Sequence, residues 1–95
     1  MSTFTMVARM VAKPDRGEAL KAELSKLVAP TRAEDGCLRY DLHQSLDEPR
    51  AFLFFEDWES EAHWRAHCDT PHFLAHRAAT RDYVEMAELL RVESF

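Results

Sequence analysis

The sequence predicts an α+β fold of ferredoxin-like order β-α-β-β-α-α-β, a four-stranded antiparallel sheet with its helices on one face. Two observations carry this. Strand-length apolar or alternating stretches are separated by segments of helical spacing, and two successive cap signals, Ser60 and Thr70-Pro71, open two short helices back to back. A third observation extends it: the strands are apolar on both faces, while the helices can cover only one. A strand apolar on both faces is covered on both sides, so a second copy of the sheet is expected to pack face to face in a homodimer.

Residues 3–12 form the first predicted strand, with Phe4, Met6, Ala8 and Met10 on one face and Thr5, Val7, Arg9 and Val11 on the other. Lys13-Pro14-Asp15 breaks it and opens a helix. There Leu20, Leu24, Leu27 and Val28 share one apolar side, and Lys21, Glu23 and Lys26 lie on the wet side. Pro30 is expected to kink or end this helix and Gly36 to terminate it. Cys37 to Gln44 alternates, placing Leu38, Tyr40 and Leu42 on one face and Arg39, Asp41 and His43 on the other. Asp47-Glu48-Pro49 makes a turn. Ala51 to Trp58 is a dense apolar run that reads as a central strand, with Phe52, Phe54, Glu56 and Trp58 on one face. Ser60 caps a helix from Glu61 to about Cys68, and Thr70-Pro71 opens another that runs to about Thr80. Tyr83 to Phe95 closes the chain as the last strand.

The chain has 95 residues, 46% of them hydrophobic, which suits a single domain over 1–95. A net charge of −5 argues against nucleic acid as a partner. No apolar stretch approaches the ~20 residues that span a bilayer, and no secretory signal is evident, so no membrane partner and a cytoplasmic location are expected. Cys37 and Cys68 have no metal-type spacing and are expected to stay reduced. With Gly17 and Gly36 as the only glycines, no phosphate-cradling loop of the GxGxxG or GxxxxGK type is present.

The stretch from Trp58 to Phe73 holds both tryptophans and three of the five histidines, and an active site is expected there. Histidine titrates nearest neutral pH and is the usual proton carrier; aromatic neighbours suit a flat apolar ligand. His63 and His67 are spaced i, i+4, as are His72 and His76, a spacing that can serve a metal. HExxH is absent and no acidic ligand sits at an obvious offset, so no metal is expected. His67 ends one helix and His72 begins the next, which lets both face one cleft. Glu56, on the strand face of Trp58, is the expected carboxylate to orient a histidine. Core packing is the plain alternative for Trp58, Trp64 and Phe73, as helix-end bonding is for the histidines. Arg9 and Arg39 can hold an anion or simply pair at the surface. Cys68 has no evident activating partner for a nucleophile.

Several segments together resemble the antibiotic biosynthesis monooxygenase family of dimeric α+β barrels. They are Ala12-Lys13-Pro14, Pro30-Thr31-Arg32, Gly36-Cys37-Leu38-Arg39-Tyr40, Phe55-Glu56-Asp57-Trp58-Glu59-Ser60 and His67-x-x-Thr70-Pro71-His72-Phe73. The Trp-Glu-Ser, Ala-His and Thr-Pro-His elements are similar to those of the small bacterial quinol monooxygenases. The resemblance implies a homodimer that oxidises a quinol- or anthrone-like aromatic with O2 and needs no cofactor. It implies His67 or His72 as the base with Glu56 as a supporting group, and Trp58, Trp64, Phe73, Arg9 and Tyr40 around the substrate. The family's haem-degrading branch is disfavoured: its first-strand asparagine falls on Val7, its tryptophan on His67 and its ligand position near His76 or Arg77. Two further readings stand beside the oxygenase. One is an isomerase of a small phosphorylated carbonyl compound, using histidines with Arg9 or Arg39 at the anion. The other is a non-catalytic dimeric ligand-binding protein.

Overall fold

The computed structural model describes residues 3–95. The elements follow as β1 (Phe4–Ala12), α1 (Gly17–Arg32), β2 (Cys37–Gln44), β3 (Ala51–Trp58), α2 (Glu61–His67), α3 (Pro71–Thr80) and β4 (Val84–Val92). The predicted ferredoxin-like α+β order is present, and the four strands lie in the order β2-β3-β1-β4 with antiparallel neighbours throughout.

Strand alternation decides what faces the helices. On β1, Phe4, Met6 and Ala8 stand opposite Trp58, Glu56 and Phe54 of β3. All of these but the buried Glu56, with Phe52 and Tyr40, meet Leu20, Leu24 and Leu27 of α1 in one hydrophobic core. The three leucines recur at i, i+4 and i+7, so one stripe of α1 is buried. Burying each contributes about 1.5–3 kcal/mol.

The opposite sheet face carries Thr5, Val7, Arg9 and Val11 beside Leu53, Phe55 and Asp57, and beside Met86, Glu88, Leu90 and Val92 of β4. Val7 is flanked by Phe55 on one side and Leu90 on the other. Met86, Leu90 and Val92 are exposed there. The second apolar face read from the sequence is thus present and lies outside the helix-covered core.

Four local expectations are corrected. Pro30 neither kinks α1 to a stop nor ends it; it sits inside the helix, which runs on to Arg32. Proline's fixed φ is helical, and so close to the C-terminus it removes one backbone bond from the last turns rather than from the middle. Gly36 is not the helix terminator either. The C-cap is Ala33, and Gly36 adopts its positive φ of 83° in the turn that enters β2. A Cβ there would come within 2.3 Å of the His63 ring, so this turn excludes any larger residue. Lastly, Leu38 does not share a face with Tyr40. The register shifts between Cys37 and Arg39, which oppose Trp58 and Asp57, so Leu38 is bulged out and 54% exposed. Cys37 takes the inward place. The final strand also stops at Val92 rather than Phe95.

Candidate active site

Two capped helix ends set the position of the central histidines. Ser60 is the N-cap of α2, its hydroxyl accepting from the His63 backbone N–H. α2 ends at His67, and after three intervening residues Pro71 starts α3. Thr70 ties the junction: its hydroxyl accepts from the Phe73 N–H and donates to the His67 carbonyl, and its own N–H donates to that same carbonyl. His67, the last residue of one helix, and His72, the second residue of the next, are therefore fixed in relation to each other. The third member arrives from elsewhere. Glu34 lies in the turn after α1, where its N–H donates to the Thr31 carbonyl and its carbonyl accepts from the Cys37 N–H.

Glu34 Oε2 is 2.8 Å from His67 Nδ1 and 2.5 Å from His72 Nε2. A carboxylate oxygen accepts, so both imidazole nitrogens facing it carry the proton. His67 Nε2, on the other side of that ring, has no partner among the described residues. The ring sits in an aromatic surround. Trp58 and Phe73 are each 4.9 Å from it between centroids, and Tyr40 is 5.6 Å away. His67 and Trp58 are buried, Glu34 nearly so, and His72 is a quarter exposed on its side chain. Burial drives the His67 pKa down, with the Glu34 hydrogen bond and charge pulling the other way. The buried imidazole is consequently biased toward its neutral form.

Glu34 was not singled out in the sequence, and Glu56 does not take the role expected of it. The Glu56 carboxylate accepts from the Trp58 indole N–H at 3.0 Å, and the carboxylate bonded to histidine is Glu34. Glu56 and Trp58 are two residues apart on one strand face, so the indole reaches the carboxylate first. Burial raises the Glu56 pKa to about 7. The expectation that no acidic ligand accompanies the histidines is corrected by the same residue: ligand atoms of Glu34, His67 and His72 all lie within 4.8 Å of one another.

The i, i+4 histidine pairs do not act as pairs. His63 Nδ1 contacts the Ser60 hydroxyl at 2.7 Å and its Nε2 lies 3.5 Å from Asp35. His76 Nδ1 is buried without a partner, and burial lowers that pKa. The partnership that forms crosses the helix junction, between His67 and His72.

Of the residues expected around a substrate, Trp58, Phe73 and Tyr40 do surround His67. Trp58 and Tyr40 are core residues, Tyr40 stacking on Phe54 at 4.4 Å. Trp64 is turned away and packs on Phe4 at 5.7 Å. Arg9 lies on the opposite face of the sheet, 3.5 Å from Glu88, because its place in β1 alternates with the inward Ala8 and Met10. Arg39 is on that face too, bonded to Asp41 and placed over the Phe55 ring. Neither arginine reaches the histidines within this chain, and among the described residues no anion cradle of the isomerase kind forms beside them. A cavity of about 280 Å³ is lined by Arg32, Cys37, Leu38, Arg39, Tyr40 and Asp41, so Tyr40 borders both it and the His67 surround. A larger open groove of about 1110 Å³ runs between the chain ends of the sheet and the start of α2, past Phe4, Ser60, Glu61 and Arg91, and neither His67 nor His72 lines it. The thiols are poor nucleophiles: burial raises the pKa of Cys37, and raises that of Cys68 to about 11.

Residues 3–79 match the family described as antibiotic biosynthesis monooxygenase. The chain is 42% identical over 77 residues to "Putative monooxygenase Rv0793" of Mycobacterium tuberculosis, covering 81% of this chain and 75% of that protein. It is 31% identical over 95 aligned residues to "Probable quinol monooxygenase YgiN" of Escherichia coli, covering 87% of this chain and 90% of that protein. Among solved structures, PA3566 from Pseudomonas aeruginosa superposes with a TM-score of 0.96 at 35% identity, over 100% of this chain and 96% of that one.

Proposed function

The chain belongs to the antibiotic biosynthesis monooxygenase family, and from that premise we propose that it oxidises a quinol- or anthrone-like aromatic with O2 without a bound cofactor. The observation that carries this reading is the Glu34–His67 contact at 2.8 Å inside an aromatic surround. Glu34 fixes the ring and its tautomer, leaving His67 Nε2 to take a proton. His72 holds the same carboxylate from the other side. Trp58, anchored by Glu56, and Phe73 form the walls.

The chemistry then needs little else. Transfer of a hydroxyl or benzylic proton to His67 gives an electron-rich anion. That anion passes an electron to O2, and the resulting pair combines at carbon to form a hydroperoxide. Protonated His67 returns its proton to the peroxide, and loss of water leaves a carbonyl: one oxygen atom enters the product, the other leaves as water, and the substrate supplies all four electrons that reduce O2. A dry, positioned base that burial biases toward its neutral form is what the protein contributes.

The reading includes a homodimer formed through the apolar sheet face around Val7, Phe55 and Leu90, which no helix of the chain covers. It places the protein in the cytoplasm, where the free thiols Cys37 and Cys68 persist. No helix among the described residues is long and apolar enough to cross a membrane. The test is oxygen uptake with a panel of reduced quinols and anthrones, comparing the unaltered protein with His67→Ala. Saturable uptake that the variant loses supports the reading; equal rates in both overturn it.

A further inference from the structure

We infer that Glu34, His67 and His72 form a binding site for a divalent late first-row transition-metal ion of the Zn2+ and Co2+ class. The inference goes beyond the oxygenase reading and does not depend on it. Its warrant is the donor set and the way the fold holds it. Two imidazole nitrogens and one carboxylate, with ligand atoms all within 4.8 Å, converge from three separate segments: the turn after α1, the end of α2 and the start of α3. Two histidines with one glutamate are the three-ligand set of an open zinc centre, and mixed nitrogen and oxygen donors select against Mg2+ and Ca2+, which want oxygen alone.

The site is preorganised. His67 and His72 are locked by the Thr70 bonds across the junction, and Glu34 by the backbone bonds to Thr31 and Cys37. Metal–ligand bonds of about 2.0–2.2 Å in tetrahedral array put ligand atoms about 3.3 Å apart. The present contacts of 2.8 and 2.5 Å need only a small withdrawal of the Glu34 carboxylate to admit an ion. Each neutral imidazole frees its ligating nitrogen by moving the proton to the other ring nitrogen, so no net proton need leave. Three protein ligands leave one position open, toward the side where His72 is a quarter exposed. An ion seated here immobilises both imidazoles, so it competes with any proton transfer they perform.

The test uses untagged full-length protein, stripped with chelator. Zn2+ is titrated by calorimetry, and Co2+ by its visible ligand-field spectrum. The expected result is one equivalent per chain with a four- or five-coordinate Co2+ spectrum. Glu34→Gln and His72→Ala should each weaken binding by at least about 100-fold, the upper end of what loss of an outer-shell partner costs, with circular dichroism confirming that they fold. His43→Ala, on the exposed face of β2, should leave binding unchanged. The absence of a Co2+ ligand-field band in the unaltered protein, or an isotherm unmoved by both site variants, overturns the inference. Both readouts are of binding alone, so they stand apart from the success or failure of the oxygen-uptake experiment.

Discussion

Glu34 and His67 are 33 residues apart in sequence, yet Oε2 of one lies 2.8 Å from Nδ1 of the other, at the junction of three segments. This contact turns a buried histidine into an oriented one. The ring nitrogen facing the carboxylate is a donor, so the opposite nitrogen is left as the acceptor.

Replacing Glu34 with glutamine keeps the shape and removes the charge. We predict that Glu34→Gln lowers kcat by about 10²-fold while KM changes little, since the residue orients the base rather than holding substrate. Steady-state kinetics on any substrate that the unaltered protein turns over will show it. A rise in KM with kcat preserved would assign Glu34 to binding.

Glu56 gives a pH-dependent stability with a defined sign. Its folded pKa is raised by burial from 4.5 to about 7, so the folded state favours the protonated carboxyl. Stability is therefore full below about pH 4.5 and falls as pH rises toward the folded value of about 7, by roughly 3 kcal/mol in all. Glu56→Gln cannot ionise and should lose this dependence. Urea midpoints at pH 5 and pH 8 measure it: the unaltered protein should weaken between them relative to the variant. Parallel changes in both proteins would mean that the carboxyl does not ionise across this interval.

Gly36 holds φ at +83° with His63 directly beside it. Gly36→Ala should destabilise the fold by about 2 kcal/mol from backbone strain alone, and by more from the clash with the imidazole. Adding His63→Ala should relieve the clash with the ring atoms at 2.3 Å, leaving the strain and the close approach to the remaining Cβ at 2.8 Å. Thermal unfolding of the two single variants and the double variant separates these effects as a coupling energy. Strict additivity would contradict the contact.

The sheet face bearing Val7, Phe55 and Leu90 should join two copies. Leu90→Glu places a charge at the centre of that face, where it cannot be desolvated cheaply. Light scattering after gel filtration should show a dimer for the unaltered protein and a monomer for the variant. A dimer that survives Leu90→Glu would move the interface elsewhere.

Much of the fold is legible in the sequence because its signals are local. The apolar run of Ala51–Trp58, leucine spacing in α1 and the Ser60 and Thr70-Pro71 caps each act within a few residues, and the structure places the elements there. The departures have local causes of another kind. Proline near a helix end is tolerated, so Pro30 does not stop α1, and the bulge that expels Leu38 depends on its pairing with β3. The site is legible only by half. The approach of His67 to His72 follows from one short junction, but Glu34 reaches them from a turn with no local mark, as one acid in Glu34-Asp35 before Gly36. Glu56, the acid that the strand pattern brings beside Trp58, is taken by that residue's indole.

The most direct test of the central claim is oxygen uptake by the chelator-treated protein with reduced quinols and anthrones, run under labelled O2 with product masses read. The account predicts saturable uptake above the spontaneous rate, one labelled oxygen atom in the product, and a fall of about 10²–10⁴-fold in His67→Ala. No rate above background across the panel, or a rate that His67→Ala leaves intact, would contradict it.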